Sequence, residues 1–242
     1  MAKYSFTFLF LFAVCGLQAQ QYAIDSAITS DDTGYAKHLY FAKRAEQLAI
    51  FNGVYHHGYP SSIEGYVYFK SPEWQKGYVI YDNILYENMA MKYDLLKDQL
   101  IVTPKEQSGM LITLLSPRVE QFSFSTFTFI RIDRTDQNSY LSPGFYQQLV
   151  RGKLTALAKR TKIINEKIEG TALLQKFEET VKYYLLKGGI CYPVKHKKDI
   201  LTIVKDRRKE VQRFLLKNKL NYRKDREKTL VAVVEFYNQS SY

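Results

Sequence analysis

The chain of 242 residues is poor in the residue types that dominate disulfide-rich or flexible proteins, with two Cys, six Pro and twelve Gly. So little cysteine excludes a scaffold held together by several disulfides. So little proline and glycine excludes a collagen-like chain and gives no sign of a long flexible linker. What remains is an ordinary globular composition, 46% hydrophobic and 24% charged, in a chain long enough to bury a sizeable core.

Long hydrophobic runs are absent after the first twenty residues, since none approaches the ~18 apolar residues of a membrane-spanning helix. The mature chain is therefore predicted to have no transmembrane helix. The start of the chain has the layout of a secretory signal peptide: Lys3, an apolar stretch over residues 6–14 and a polar, small-residue exit. We predict a signal over residues 1–19, cleaved near Ala19, and export to the periplasm or the periplasmic face of the outer membrane.

The two cysteines have different expected roles, one in the signal and one in the mature chain. Cys15 leaves a lipoprotein signal open, in which this cysteine would be lipidated and retained, although Val14 is not the small residue usual before it. Removal of the signal would leave Cys191 as the one cysteine, so we expect no disulfide within the mature chain. Its apolar, strand-like surroundings predict a small buried core residue, because a catalytic thiol would need a partner histidine.

Hydrophobic spacing divides the mature chain into three parts. Residues 20–53 contain apolar residues three or four apart, which predicts an N-terminal helix. Residues 54–194 change to a period of two, in short aromatic or β-branched runs separated by turn signals, which predicts an antiparallel meander that curls into a sandwich or an open barrel. Residues 195–242 return to helical spacing in a basic segment packed on the sheet. The fold class expected is α+β.

Glycines mark two tight connections within the β-rich part. Gly152 is predicted to lie in a hairpin turn between two strands. Residues 177–192 allow either a hairpin around Gly188-Gly189 or a helix that ends at Gly188, and the alternation on both sides favours the hairpin. Farther along, Asp206 and Asp225 are candidate N-caps for the second and third C-terminal helices.

The formal charge of +11 is unevenly distributed. Residues 20–150 hold 11 Lys+Arg against 14 Asp+Glu, whereas residues 151–242 hold 23 against 10, a net +13. One interpretation is a solvated helical surface, and the other is a binding surface for an anionic partner. Because an exported protein does not meet nucleic acid, the expected partners are an anionic lipid or glycan surface or an acidic envelope protein. The candidate contact residues are Lys197, Lys198, Arg207, Arg208, Lys209, Arg213, Arg223 and Lys224.

Aromatic residues are abundant, with 20 Tyr and 15 Phe against a single Trp, and they are dense between residues 66 and 93. Half of the side chains on a strand face inward, so core packing explains most of them. The remainder suggest a platform that stacks on a sugar or a peptide. The candidate platform residues are Tyr66, Tyr68, Trp74 and Tyr78, and a carbohydrate- or peptide-binding module is therefore the first alternative function.

Signals for catalysis are weak. No nucleophile elbow or phosphate-binding loop is present, and the adjacent His56 and His57 would point to opposite faces of a strand, so they predict no metal site. Six carboxylates could pair in a glycosidase-like cleft, which keeps a hydrolase of envelope polymers as the second alternative. They are Glu64, Glu73, Asp82, Glu87, Asp94 and Asp98. Each lies in or beside a turn, so we assign no catalytic residue, cofactor or metal.

Four features together carry a resemblance to known proteins: the short signal, the Gln-rich stretch at the start of the mature chain (Gln18-Ala19-Gln20-Gln21, across the predicted cleavage site), the Tyr-rich β-region and the ending with Phe214-Leu-Leu-Lys and Phe236-Tyr-Asn238. In these the chain resembles an uncharacterised exported protein family of Bacteroidota, which is periplasmic or associated with the outer membrane. The resemblance implies an envelope location and carries no catalytic residues. The expected function is that of a non-enzymatic accessory or binding protein of the cell envelope.

Overall fold

The computed structural model describes residues 49–103, 110–135 and 141–239. The chain divides into two units, residues 1–49 and 50–242, and the description below concerns the second. The predicted signal peptide and, apart from residues 49–53, the predicted N-terminal helical part lie outside the described residues.

The strands of the described residues form one antiparallel sheet of eleven strands in the order β1-β5-β4-β3-β2-β6-β7-β8-β9-β10-β11. From β6 onward each strand pairs with the next along the chain, so this part is a simple meander. The strands are β1 Val54–Tyr55, β2 Gln75–Tyr81, β3 Ile84–Asp94, β4 Gln99–Thr103, β5 Ile112–Thr113, β6 Val119–Phe124, β7 Phe127–Ile132, β8 Gly144–Val150, β9 Leu154–Glu169, β10 Ala172–Lys187 and β11 Ile190–Val194.

The sheet curls without closing, and contacts between strands that are not neighbours show the curl. The backbone N–H of Lys162 on β9 donates to the carbonyl of Leu95, just after β3, at 3.0 Å. Residues 63–69, which we call the strap, lie between these parts. Leu95 N–H donates to Val67 at 3.3 Å, and Glu64 N–H donates to Gln175 on β10 at 2.8 Å. The strap therefore joins the end of β3 to β10.

Aromatic side chains fill the inside of the curl. Phe122 and Phe129, which are cross-strand partners on β6 and β7, stack with ring centroids 4.8 Å apart. Tyr93 contacts the same two rings edge-on, and Phe145 lies 5.1 Å from Phe122. Such pairs stabilise by about 0.5–1.5 kcal/mol beyond the area that they bury. Core packing thus accounts for much of the aromatic content, as expected.

Three helices follow the sheet: α1 Lys197–Ile203, α2 Arg208–Lys217 and α3 Arg226–Gln239. Their apolar sides pack on Leu154, Ala156 and Leu185 of β9 and β10 in a second buried cluster. The α+β class, with a curled antiparallel meander and C-terminal helices, is therefore confirmed. None of the described helices is both long enough and apolar enough to cross a membrane.

The predicted helix caps differ in outcome. Asp225 accepts a hydrogen bond from the backbone N–H of Lys228 at 3.1 Å, at the start of α3, as expected for an N-cap. Asp206 does not cap α2, because its carboxylate is bound by the ammonium of Lys187 and the hydroxyl of Tyr237, both at 2.7 Å. Asp206 binds side chains distant in sequence instead of the backbone N–H groups at the start of α2, so that prediction was wrong.

Glycine serves the two tight connections in different ways. Gly188 and Gly189 have φ of +57° and +79° between β10 and β11, which confirms the hairpin and excludes the helix. Gly152 is required by close packing instead, because a Cβ there would lie 2.2 Å from Nδ2 of Asn238. The Asn238 side chain, on α3, bonds both backbone groups of Leu154, at 3.0 and 2.9 Å.

Cys191 lies on β11 and is fully buried beside Leu141, Tyr146 and Leu157. Burial raises the pKa of its thiol to about 12. The thiol is therefore protonated at neutral pH, and the prediction of a buried core residue is confirmed.

Candidate functional site

Cationic side chains cover the exposed sides of the C-terminal helices. Of the eight basic residues singled out from the sequence, seven are exposed, and none of the seven forms an ion pair with a described residue. On α2, Lys209, Arg213 and Lys217 are four residues apart, so they form one stripe opposite the buried Val211 and Leu215. We call the exposed set the basic surface: Lys197, Lys198, Arg208, Lys209, Arg213, Arg223 and Lys224.

Five of the six acidic residues between 195 and 239 make contacts within the chain, and Glu235 is exposed. Asp199 accepts hydrogen bonds from the backbone N–H groups of Lys195 and His196, at 2.9 and 2.8 Å, and so closes the start of α1. Burial alone would raise the pKa of Asp206, but its hydrogen bonds from Lys187 and Tyr237 lower it. The carboxylate of Asp206 is therefore ionised and bound by Lys187 and Tyr237 at the surface of the fold. Little negative charge is left to neutralise the basic surface.

Arg207 is the exception among the eight predicted contact residues. Its guanidinium is bound by Glu210 at 2.5 and 3.0 Å, and it donates to the carbonyl of Tyr237 at 2.9 Å. It also lies over the ring of Phe236, 5.2 Å from the centroid. Only 14% of the side chain is exposed, so Arg207 holds α2 against α3 and does not belong to the basic surface.

A second set of cations, on β9, was not found from the sequence. Lys159 is buried, and its ammonium lies 2.5 Å from Asp98, which also accepts the hydroxyl of Tyr93 at 2.5 Å. A Cβ on Gly144 would lie 1.8 Å from that carboxylate. The pair joins β9 to the turn between β3 and β4. Burial lowers the pKa of Lys159, and Asp98 opposes that effect.

The next residues of β9 face the other way because side chains alternate along a strand. Arg160 donates to Gln147 and Glu227, both at 2.6 Å, and its guanidinium lies 5.7 Å from the centroid of Phe69. Lys162 donates to the carbonyl of Tyr66 at 2.5 Å. These buried cations attach α3 and the strap to the sheet, so their role is structural.

His56 is buried and His57 is exposed, as the expected opposite orientations require. Nδ1 of His56 lies 3.3 Å from the hydroxyl of Thr113, and Nε2 has no hydrogen-bond partner among the described residues. Nearby, the buried Asp94 accepts the hydroxyl of Tyr59 at 2.6 Å. Burial lowers the pKa of His56, an effect that Asp94 opposes. The imidazole is therefore neutral at pH 7.

Four of the six carboxylates considered for catalysis have separate partners. The described contacts pair none of them with another. Glu64 binds Lys176, Asp82 binds Arg118, Asp94 binds Tyr59 and Asp98 binds Lys159, while Glu73 and Glu87 are exposed. Among the residues that the structure describes, no three His, Cys, Asp or Glu side chains are grouped so that they could hold a metal ion.

The four aromatic residues proposed as a platform have different neighbours. The ammonium of Lys92 lies between Tyr68 and Trp74, at 5.0 and 4.6 Å from the two ring centroids. Tyr66 instead lies against Lys162, and the hydroxyl of Tyr78 accepts a hydrogen bond from Gln121 at 2.6 Å. The described contacts therefore join only two of the four rings, and they do so through a lysine.

Comparison with known proteins gives no match. No family model, no curated protein and no solved structure matches the chain. The resemblance to exported proteins of Bacteroidota therefore stays a prediction, and the proposals below depend on the residues themselves.

Proposed function

We propose that this chain is an exported, non-enzymatic binding protein whose basic surface contacts the anionic surface of a cell-envelope membrane. One observation carries the proposal. The cations of the basic surface are exposed and form no ion pair with described residues, while acids of the same segment such as Asp199 and Asp206 are used internally. A helical surface that only kept the protein in solution would need no such separation of charge.

The chemistry recognised is that of phosphate groups at high surface density. Each Lys or Arg held near an anionic membrane contributes about 1 kcal/mol, and the contribution falls off within a Debye length of about 8 Å at physiological salt. Seven cations, five on α1 and α2 and two in the turn before α3, are enough for salt-sensitive binding without a deep pocket. Phospholipid and lipopolysaccharide headgroups both present this chemistry.

The test is binding to vesicles. We expect the protein to bind vesicles of phosphatidylcholine with phosphatidylglycerol, or with lipopolysaccharide, and to dissociate as NaCl is raised. Arg208→Gln/Lys209→Gln/Arg213→Gln should weaken binding by about a hundredfold, since three contacts of about 1 kcal/mol are lost. The matched control Lys70→Gln/Lys76→Gln/Arg134→Gln removes the same charge from exposed positions of the β-rich part and should bind nearly as the wild type does.

Two results would contradict the proposal. Equal losses in the two triple variants would show that net charge alone drives binding. Absence of vesicle binding, together with salt-sensitive capture of one acidic envelope protein, would assign the basic surface to a protein partner instead. The comparison of phosphatidylglycerol with lipopolysaccharide vesicles separates the two lipid sources.

A further inference from the structure

β9 and β10 continue beyond the strands that flank them. β8 pairs with β9 only as far as Ala158, and β11 pairs with β10 only from Tyr183 onward. The two long strands nevertheless stay paired with each other as far as Glu169 and Ala172. Residues 165–174, which we call the ribbon tip, are all exposed. A two-stranded ribbon of this kind is marginally stable in water by itself.

The ribbon tip carries apolar side chains on both faces. Ile168 and Leu173 are directly opposite each other, hence on the same face, and are 76% and 58% exposed. Side chains alternate along a strand, so Leu174 lies on the other face, on the same side as Ile163. These two are 48% and 53% exposed. Large apolar groups exposed on two sides of a projection indicate an interaction site.

The exposure of apolar side chains on both faces indicates the occupant. A folded protein surface covers one face of a ribbon and leaves the other in water, whereas a lipid layer surrounds both faces. The ribbon tip itself holds Glu166, Lys167 and Glu169, a net −1, so attraction to an anionic layer comes from the rest of residues 151–242, which as a whole carry a net +13. We propose that the ribbon tip inserts into the interfacial zone of an anionic membrane, as an apolar contact additional to the basic surface. The choice of membrane rests on the proposed function.

The backbone sets the depth of insertion. Lys162 N–H, on β9, and Phe177 N–H, on β10, both donate away from the partner strand of the ribbon. Because the direction of the backbone N–H and C=O groups alternates along a strand, those of Ile168 and Leu173 also point away from the partner strand. In the hydrocarbon of a bilayer they would have no hydrogen-bond partner. Lys167 and Glu169 add charges 4.0 Å apart. The tip therefore stops among the headgroups, as interfacial segments do.

The first experiment measures affinity for vesicles of phosphatidylcholine with phosphatidylglycerol. Ile168→Ser/Leu173→Ser should weaken binding about tenfold or more, because two exposed apolar side chains no longer leave water on binding. Ile84→Ser/Leu85→Ser is the matched control, since Ile84 and Leu85 are 37% and 54% exposed at the start of β3. It should bind as the wild type does. Unchanged circular dichroism of each variant, expected for exposed sites, confirms that it is folded.

The second experiment detects insertion directly. Trp74 is the only tryptophan, so Trp74→Phe/Leu173→Trp places a single fluorophore at the ribbon tip. On vesicles its emission should shift to shorter wavelength and be quenched by lipids brominated near the headgroup more than by lipids brominated deep in the chains. A bound protein whose emission neither shifts nor is quenched would overturn the proposal.

The two proposals fail in distinguishable ways. Salt-sensitive binding that the serine variants leave unchanged would overturn insertion and keep the basic surface. Loss of binding in the serine variants alone, with the Arg208/Lys209/Arg213 triple variant binding normally, would keep insertion and overturn the proposed function. Absence of binding to any vesicle would overturn both.

Discussion

His56 is a buried imidazole whose Nε2 has no hydrogen-bond partner among the described residues. Burial opposes its protonation, and so do the cations of Lys97 and Lys92, whereas the carboxylate of Asp94 favours it. Because burial lowers the pKa of His56 in the folded chain, the unfolded chain takes up a proton at higher pH. The free energy of unfolding should therefore fall as pH drops below about 6.5.

We predict that His56→Gln makes this dependence shallower between pH 7 and 5, by at most the 1.4 kcal/mol per pH unit that one group supplies. Urea unfolding at several pH values measures it. His57→Gln, at an exposed position, should keep the wild-type slope. Identical slopes in all three proteins would show that His56 titrates alike in the folded and unfolded chains.

At the scale of elements, the ion pair between Lys159 and Asp98 links β9 to the turn after β3, across the curl. Removal of Lys159 leaves the partly buried Asp98, 24% exposed, without its cation, which costs about 3 kcal/mol, the low end for a buried pair. We predict that Lys159→Met destabilises the protein by that amount. Lys159→Met/Asp98→Asn should be more stable than the single variant, because the double change leaves no unpaired charge.

Chemical denaturation of the wild type, both single variants and the double variant measures the coupling between the two residues. Arg131→Met/Asp133→Asn is a suitable control cycle, because Asp133 is 64% exposed and surface pairs contribute little. Additive effects at Lys159 and Asp98 would mean that the two strands are held by packing alone.

The same elements show how far the sequence predicts the fold. Alternation around Gly188-Gly189 predicted the last hairpin correctly, because the turn and its strands are local in sequence. Asp206 was wrongly expected to cap α2. The sequence around a capping aspartate looks the same as the sequence around an aspartate bound by distant residues, here Lys187 and Tyr237. The buried cations of β9, such as Arg160, look like solvent-facing residues until their partners from other elements are in place.

The candidate site, too, was only partly predictable from the sequence. Excess charge is a property of composition, so the basic segment was evident in the sequence and seven of its eight chosen residues are exposed. Arg207 differs only in having Glu210 and Tyr237 within reach. The ribbon tip gave no signal, because Ile168 and Leu173 look like ordinary strand residues until the flanking strands are seen to stop short.

For the whole molecule, stability should vary strongly with position. Backbone amides of β6 and β7 lie in the aromatic core, whereas the ribbon tip lacks flanking strands. We predict that the backbone amides of residues 165–174 exchange hydrogen orders of magnitude faster than those of Phe122 and Phe129. Hydrogen-exchange measurements on the free protein check this. Anionic vesicles should slow exchange at the tip and leave the core unchanged. Equal protection at both places in the free protein would contradict this prediction.

The strap has a consequence for the order of folding. Lys176 on the ribbon lies 112 positions after its partner Glu64, so the contact closes a very long loop and contributes little until most of the chain is in place. During synthesis, β9 and β10 are made after the early strands and their aromatic side chains, and only then is the strap held on both sides. Assembly of this half of the sheet is therefore a late event, and chains truncated before β9 should aggregate through their uncovered core.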